Sequence, residues 1–264
     1  MPAPRPVAVI TGASAGLGAA FAPLFAAAGY DLVLVARRKA PLAQLAERMR
    51  REHRVRATPL AIDLARPNAP RRVRDAVRAT RVEVLVNNAG VYEVGPFTAI
   101  PPERLDAMIR LNCLALTGLT RVFLPTMLER DSGRILNVAS VASFQAVPQL
   151  AAYAATKAFV LSLSEALVEE LRGTGVTITA LCPGITDTEG VARARRSSSV
   201  VGAVPDLAVS DETEVAREGF RACLAGEPVC VPGALNKMAT SVNLVPRTLA
   251  RWVGGAVVRR LASG

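Results

Sequence analysis

Four side chains in the middle of the chain could together run acid–base chemistry. Tyr153 and Lys157 stand in Tyr-Ala-Ala-Thr-Lys. The stretch 151–171 has helical periodicity, and residues four apart share a helix face, so phenol and ammonium lie on one side. A tyrosine with a pKa of about 10 seldom ionises at neutral pH. A neighbouring ammonium favours the phenolate, and a tenfold gain in acidity needs only about 1.4 kcal/mol. The pair therefore predicts a phenol tuned as a general acid or base. Most such pairs are mere surface neighbours on a helix, so position must decide. Ser140 follows the apolar run 134–139. At the C-terminal end of a strand it faces the crevice where open α/β sheets bind ligands, and its hydroxyl can stabilise a charged oxygen. Ser143 is its nearby competitor. Asn112 lies in the apolar stretch 108–112, where an amide without a partner would be destabilising.

A second group of residues suits phosphate. The first apolar run ends in Thr11-Gly12-Ala13-Ser14-Ala15-Gly16-Leu17-Gly18, and a helix is expected from near Leu17. Glycines permit a tight turn, close approach of backbone to pyrophosphate, and helix–strand packing. The helix start then offers N–H groups and a positive dipole end. The second run, 31–36, continues into Arg37-Arg38-Lys39 with no carboxylate at its end. An acid there would hold the ribose hydroxyls of NAD, whereas a guanidinium can fork onto a 2′-phosphate. Arg37 and Arg38, with a hydrogen bond from Ser14, thus predict NADP(H). The competing reading is that the two arginines simply open the next helix.

These features resemble the short-chain dehydrogenase/reductase family. The loop 11–18 resembles its TGxxxGxG turn, which implies that Gly12, Ser14, Ala15, Gly16, Leu17 and Gly18 bind the coenzyme. Asp63-Leu64 resembles the adenine-contacting pair, although an ordinary helix N-cap explains Asp63 nearly as well. Asn87-Asn88-Ala89-Gly90 resembles the NNAG motif, which stabilises the central sheet and flanks the adenine ribose; Asn88, Ala89 and Gly90 are its coenzyme-facing part. Tyr153 and Lys157 match the YxxxK motif, and Ser140 precedes Tyr153 by the family's thirteen residues. Asn112 matches a fourth catalytic position, implied to hold a water that links Lys157 to solvent. Pro183, Gly184, Ile185 and Thr188 match PGxxxT, whose loop touches the nicotinamide carboxamide.

The resemblance implies an NADP(H)-dependent oxidoreductase moving a hydride between nicotinamide and a carbonyl or secondary alcohol, as a ketone or 3-oxoacyl reductase. Tyr153 would be the proton donor and Lys157 would hold the nicotinamide ribose. It also implies a homodimer or homotetramer built on the helices around Asn112 and Lys157. The rival reading is a non-catalytic NADPH-binding regulator or scaffold, which would usually have lost Tyr153 or Lys157.

The elements that must position these residues alternate. Apolar, β-rich runs at 7–10, 31–36, 55–62, 82–87, 134–139, 176–181 and, more weakly, 228–231 are separated by stretches long enough for helical crossovers. Continuous apolar strands are expected where helices cover both faces of a parallel sheet. The pattern predicts a single α/β domain, a Rossmann-like doubly wound parallel sheet of about seven strands. Residues 189–211 read as a substrate lid and 234–264 as a helical tail.

Composition closes off other classes. The net charge of +10 is mostly arginine scattered over expected helices, without interleaved aromatics, so no nucleic-acid partner is expected. Four cysteines without a CxxC pair and one histidine, His53, make a metal site improbable. Free thiols without a secretory signal suit a reducing cytoplasm. The uncharged stretch 7–30 is long enough to span a bilayer, but its glycines and Pro23 fit a strand and buried helix better. The tail 243–261 mixes basic and apolar residues around Trp252. It suits peripheral contact with an anionic membrane, or packing on the body or a neighbouring subunit.

Overall fold

The computed structural model describes residues 5–78, 80–187 and 209–241. Seven parallel strands form one sheet in the order β3-β2-β1-β4-β5-β6-β7. They are β1 (Val7–Thr11), β2 (Asp31–Ala36), β3 (Ala57–Ala61), β4 (Val82–Asn87), β5 (Gly133–Val138), β6 (Val176–Leu181) and β7 (Val229–Cys230). The helices are α1 (Gly16–Ala27), α2 (Lys39–His53), α3 (Ala69–Ala76), α4 (Pro102–Ile109), α5 (Leu116–Glu129), α6 (Ala151–Glu170), α7 (Glu212–Ala225) and α8 (Ala234–Ser241). The chain steps outward from β1 to β3, then returns to β4 beside β1. That reversal opens a crevice at the strand C-termini, where the Gly-rich loop emerges.

Alternate residues of each strand face opposite layers, and the core divides accordingly. Ala8, Ile10, Leu32, Leu34, Val84 and Val86 pack with Phe21 and Phe25 of α1, Leu42 and Met49 of α2 and Val215 of α7. Val7, Val9, Val33, Val35, Leu85 and Ile135 pack with Val73 of α3 and Leu119 and Phe123 of α5. The uncharged stretch 7–30 is thus β1 and the core helix α1. Phe25 and Phe220 meet edge-on at 4.9 Å and join α1 to α7. The stretches Pro102–Glu129 and Ala151–Glu170 are also long and apolar enough to cross a membrane. Both pack on the sheet and carry site residues, as core helices do.

The expected strands appear with small shifts. The third is shorter than expected: Val55 and Ile62 are buried just outside it, and Ile62 N still donates to Ala36 O of β2 at 3.0 Å. Asp63 does not cap α3, whose N-cap is Asn68. It accepts a 3.1 Å hydrogen bond from Ala65 N instead. Of the expected lid, only residues 209–211 lie among those described, and of the expected tail only 234–241.

At the opposite end of β4, Glu83 is 6% exposed and is held by four partners. Ser132 Oγ donates to it at 2.6 Å, Arg81 Nε at 3.1 Å, and Arg134 and Arg130 lie at 3.6 and 3.9 Å. Burial pushes this carboxyl up, but the hydrogen bonds from Ser132 and Arg81 and the arginine charges outweigh it, so its pKa falls below the ordinary 4.5. A carboxyl depressed on folding contributes stability above its unfolded pKa and loses it as pH falls through its folded value. Glu83→Gln is therefore expected to lower the melting temperature at neutral pH and to flatten its decline below about pH 4.5. Thermal melts of both proteins across that range check this; parallel curves would contradict it.

Candidate active site

Each site residue stands where a main-chain constraint puts it. Thr11 ends β1, and its Oγ1 donates to Val86 O at 3.0 Å while accepting from Asn88 N at 2.9 Å and Ala89 N at 3.0 Å. Asn88 Nδ2 returns to Thr11 O at 2.9 Å. The ends of β1 and β4 are thereby locked together. Gly12 (φ +68°) and Gly16 (φ +56°) adopt backbone that disfavours a side chain. A Cβ on Gly18 would stand 2.4 Å from Gly12 O and 2.5 Å from Asn88 Nδ2, so α1 can begin this close to the strand only as glycine.

The start of α1 fits a phosphate. Its N-cap, Ala15, supplies no side-chain acceptor, and its first turn holds no acid. Its leading N–H groups therefore lack side-chain acceptors and present a positive dipole end. Ser14, Ala15 and Gly16 also line one end of a cavity of about 550 Å³ along the outside of α1, which Arg48, Asp187 and Glu212 share and whose lining includes neither Tyr153 nor Lys157. Arg38 leans over this loop, with Nε 3.4 Å from Ser14 Oγ and Nη2 3.2 Å from Ser14 O. Arg37 is exposed beside it, and β2 ends in Ala36 with no carboxylate. Arg38 is also the N-cap residue of α2, so it both opens that helix and faces the loop. Leu64 is buried beyond β3, with Asp63 half-exposed before it.

The proposed acid–base group comes together in three dimensions. Ser140 lies two residues past β5 and caps a short turn, Val141–Ser143. Its Oγ accepts from Ala142 N at 3.1 Å, while Ser143 Oγ accepts from Ser140 N at 3.2 Å. Ser143 is thus committed to shaping the turn, while Ser140 lies near enough to Tyr153 for its hydroxyl to pull that phenol's pKa down. Lys157, one turn along α6, is 6% exposed and donates to Val138 O at 2.7 Å, with its Nζ 5.8 Å from the Tyr153 ring centre.

One expectation is corrected. The helical spacing predicts a lysine that pulls the Tyr153 phenol down, yet that phenol is raised from 10.0. Burial raises it first, the Ser140 hydrogen bond pulls it back, and Tyr92 raises it again. The reason is geometric: the ammonium is turned toward the β5 carbonyl. Burial also pushes Lys157 down from 10.5 to about 8.

Asn112 sits in a π-helical turn, Arg110–Ala115, between α4 and α5. Its Oδ1 accepts from Val91 N at 2.9 Å, and its Nδ2 donates to Val91 O at 2.8 Å and to Thr156 Oγ1 at 3.0 Å. Thr156 Oγ1 in turn donates to Tyr153 O at 2.7 Å. Three bonds of the side-chain amide thus go to protein partners, which leaves one lone pair of Oδ1 for a further donor. A Cβ on Gly90 would lie 3.2 Å from Asn112 Oδ1 and 3.6 Å from Lys157 Nζ, so the β4 extension passes directly beside both.

Beyond β6, Pro183 O accepts from Val141 N at 2.9 Å and ties the Ser140 turn to the neighbouring loop. Gly184 and Ile185 follow, half-buried; a Cβ on Gly184 would meet Asn236 of α8 at 2.6 Å. Thr188 lies outside the described residues. Cys182 is buried, and its thiol is pushed up to about 12 by burial, which suits packing rather than nucleophilic attack. Sequence reasoning missed Tyr92, Thr156 and the acceptor role of Val138 O. None carries a spacing signal, since each is recruited by contact across the fold. Thr11 was visible as part of the loop, but its bond set was not.

Comparison with known proteins fits this geometry. The profile described as short chain dehydrogenase matches residues 6–199. The chain belongs to the short-chain dehydrogenase/reductase family. A short chain dehydrogenase of Pseudocercospora fijiensis is 38% identical over 69% of this chain and 60% of its own length. The human very-long-chain 3-oxoacyl-CoA reductase is 32% identical over 69% of this chain and 60% of its own. The chain thus spans about three fifths of the length of these curated relatives. Among solved structures, a Sphingobium yanoikuyae short-chain dehydrogenase in complex with NADPH is 36% identical, covering 97% of this chain and 93% of its own (TM-score 0.80). A Burkholderia phymatum short-chain dehydrogenase/reductase in complex with NAD is 27% identical, covering 90% and 92% (TM-score 0.79). Both nicotinamide coenzymes thus occur among the solved relatives.

The Gly18 contact yields a test of the coenzyme loop. Gly18→Ala is expected to weaken nicotinamide coenzyme binding by about tenfold or more, roughly 1.4 kcal/mol. Fluorescence titration of both proteins checks it, with the circular dichroism spectrum showing an intact sheet. Unchanged affinity would contradict the fit of the loop to pyrophosphate.

Proposed function

We propose that this protein is an NADP(H)-dependent carbonyl reductase, acting on ketones or 3-oxoacyl thioesters, with Tyr153 as its acid. One observation carries the reading: Lys157 is rooted on the carbonyl of Val138 at the end of β5, with its Nζ 5.8 Å from the Tyr153 ring centre and Ser140 two residues past that strand. Bound NADPH would supply the hydride. Ser140 and Tyr153 donate hydrogen bonds to the substrate oxygen and orient the carbonyl. Tyr153 transfers its proton to that oxygen as negative charge develops there. Its raised pKa keeps it protonated at neutral pH, as an acid must be. Lys157, on the same face, holds the nicotinamide ribose.

NADP is favoured over NAD by the placement of Arg38 over Ser14 and the missing acid after β2. The NADPH-bound relative supports this choice, and the NAD-bound one shows that the fold alone does not make it. Reductases named for 3-oxoacyl-CoA among the relatives support an acyl thioester substrate. A homodimer or homotetramer through α5 and α6 is supported by the exposed Leu114, just before α5, and Phe159, on α6, and a mass in solution reads it. A cytoplasmic location is supported by four free, buried cysteines. The tail 243–261, proposed as a peripheral membrane contact, lies outside the described residues; liposome co-sedimentation with and without it tests that.

Tyr153→Phe is expected to abolish carbonyl-dependent NADPH oxidation while NADPH still binds with near wild-type affinity. Full turnover in that variant would remove the proposed acid. Arg38→Ala is expected to weaken NADPH binding about tenfold or more and leave NADH within about threefold, since a charge-assisted bond to phosphate is worth roughly 1.5–3 kcal/mol. Equal loss for both coenzymes would contradict the 2′-phosphate role.

A further inference from the structure

Tyr92 follows the NNAG motif by two residues, and nothing in the proposed reaction uses it. Its ring meets that of Tyr153 at 5.9 Å between centres with the planes at 71°, an edge-to-face contact, the arrangement that aromatic quadrupoles prefer. Both rings are half-buried. The segment bearing Tyr92 is fastened on either side. Before it, Val91 is gripped through both its N–H and its carbonyl by Asn112. After it, Glu93 pairs with Arg104 of α4 at 2.9 Å, and Gly95 N donates to Gln149 O at 2.9 Å. Gln149 holds φ +63°, a left-handed backbone uncommon for a side chain of its kind. That last tie is therefore made by strained backbone, four residues before Tyr153.

These ties fix the main chain on either side of Tyr92, and the edge-to-face contact places its ring against Tyr153. Tyr153 is anchored in the same way. Its main chain is fixed, through Thr156, by the same Asn112, but its side chain keeps two torsions that decide where the hydroxyl points. A ring packed edge-on against it restricts both. We propose that Tyr92 is a positioning residue: its ring holds the Tyr153 side chain in the orientation that delivers the phenol proton to the substrate oxygen. The inference rests on the acid role given to Tyr153. It requires the aromatic ring of residue 92 and not its hydroxyl.

The test compares wild type, Tyr92→Phe, Tyr92→Ala and Tyr153→Phe, with NADPH and one accepted ketone. Tyr92→Ala is expected to lower kcat about 10- to 100-fold, the scale of a slightly misplaced reacting group. Its KM for the ketone should change less, and its NADPH affinity and melting temperature should stay close to wild type. Tyr92→Phe should restore most of the rate that Ala loses. Undiminished kcat in Tyr92→Ala, a change confined to KM, or a Phe variant as slow as Ala would overturn the proposal. If Tyr153→Phe also turns over fully, the acid role itself fails; an inactive Tyr153→Phe beside an unimpaired Tyr92→Ala removes only the role of Tyr92.

Discussion

The site depends on one constraint: a buried amide, Asn112, must satisfy all of its hydrogen-bonding groups against main chain and a neighbouring helix. Leaving such a group unpaired in the core costs roughly 1–3 kcal/mol. Asn112 meets that demand by binding both polar groups of Val91 and the hydroxyl of Thr156. The extension of β4 is thereby drawn against α6. The π turn at Arg110–Ala115 is where the long helix departs from regular α geometry, as such turns often do at functional sites. Tyr153, Lys157 and Tyr92 all take their places from this junction.

A second polar tie secures the other end of the crevice. Thr11 gathers β1, Val86, Asn88 and Ala89 through one hydroxyl, and Gly18 can then approach Gly12. Asn87 and Asn137 join neighbouring strands, with Nδ2 of the first donating to Oδ1 of the second at 2.9 Å, and Ser164 continues the chain onto α6. Polar groups inside a sheet built from valine and leucine are destabilising unless paired. These bonds link β4, β5 and α6 between the coenzyme side and the acid–base side.

Much of this was legible in the residues. Continuous apolar strands separated by helical stretches dictate the parallel sheet, and strand ends matched within a few positions. Ser140, Tyr153 and Lys157 could be singled out because each sits at a strand end or on one helix face. What could not be read is contact between distant segments. Lys157 turns to Val138 O rather than toward the phenol, so burial dominates and Tyr153 is raised rather than lowered. An amide at Asn112 plainly needs a partner, but no spacing in the chain says that the partner is Val91. Tyr92 carries no periodic or spacing signal, and only the folded chain brings its ring against that of Tyr153.

The central claim is that the Tyr153 phenol delivers a proton to a carbonyl oxygen at a family-typical coenzyme site. The most direct measurement is NADPH oxidation by the wild-type protein against ketones, aldehydes and 3-oxoacyl thioesters. Steady turnover with at least one of these classes, dependent on both protein and carbonyl, is the expected result. Tight NADPH binding with no oxidation by any of them would contradict it and leave a coenzyme-binding protein without this chemistry.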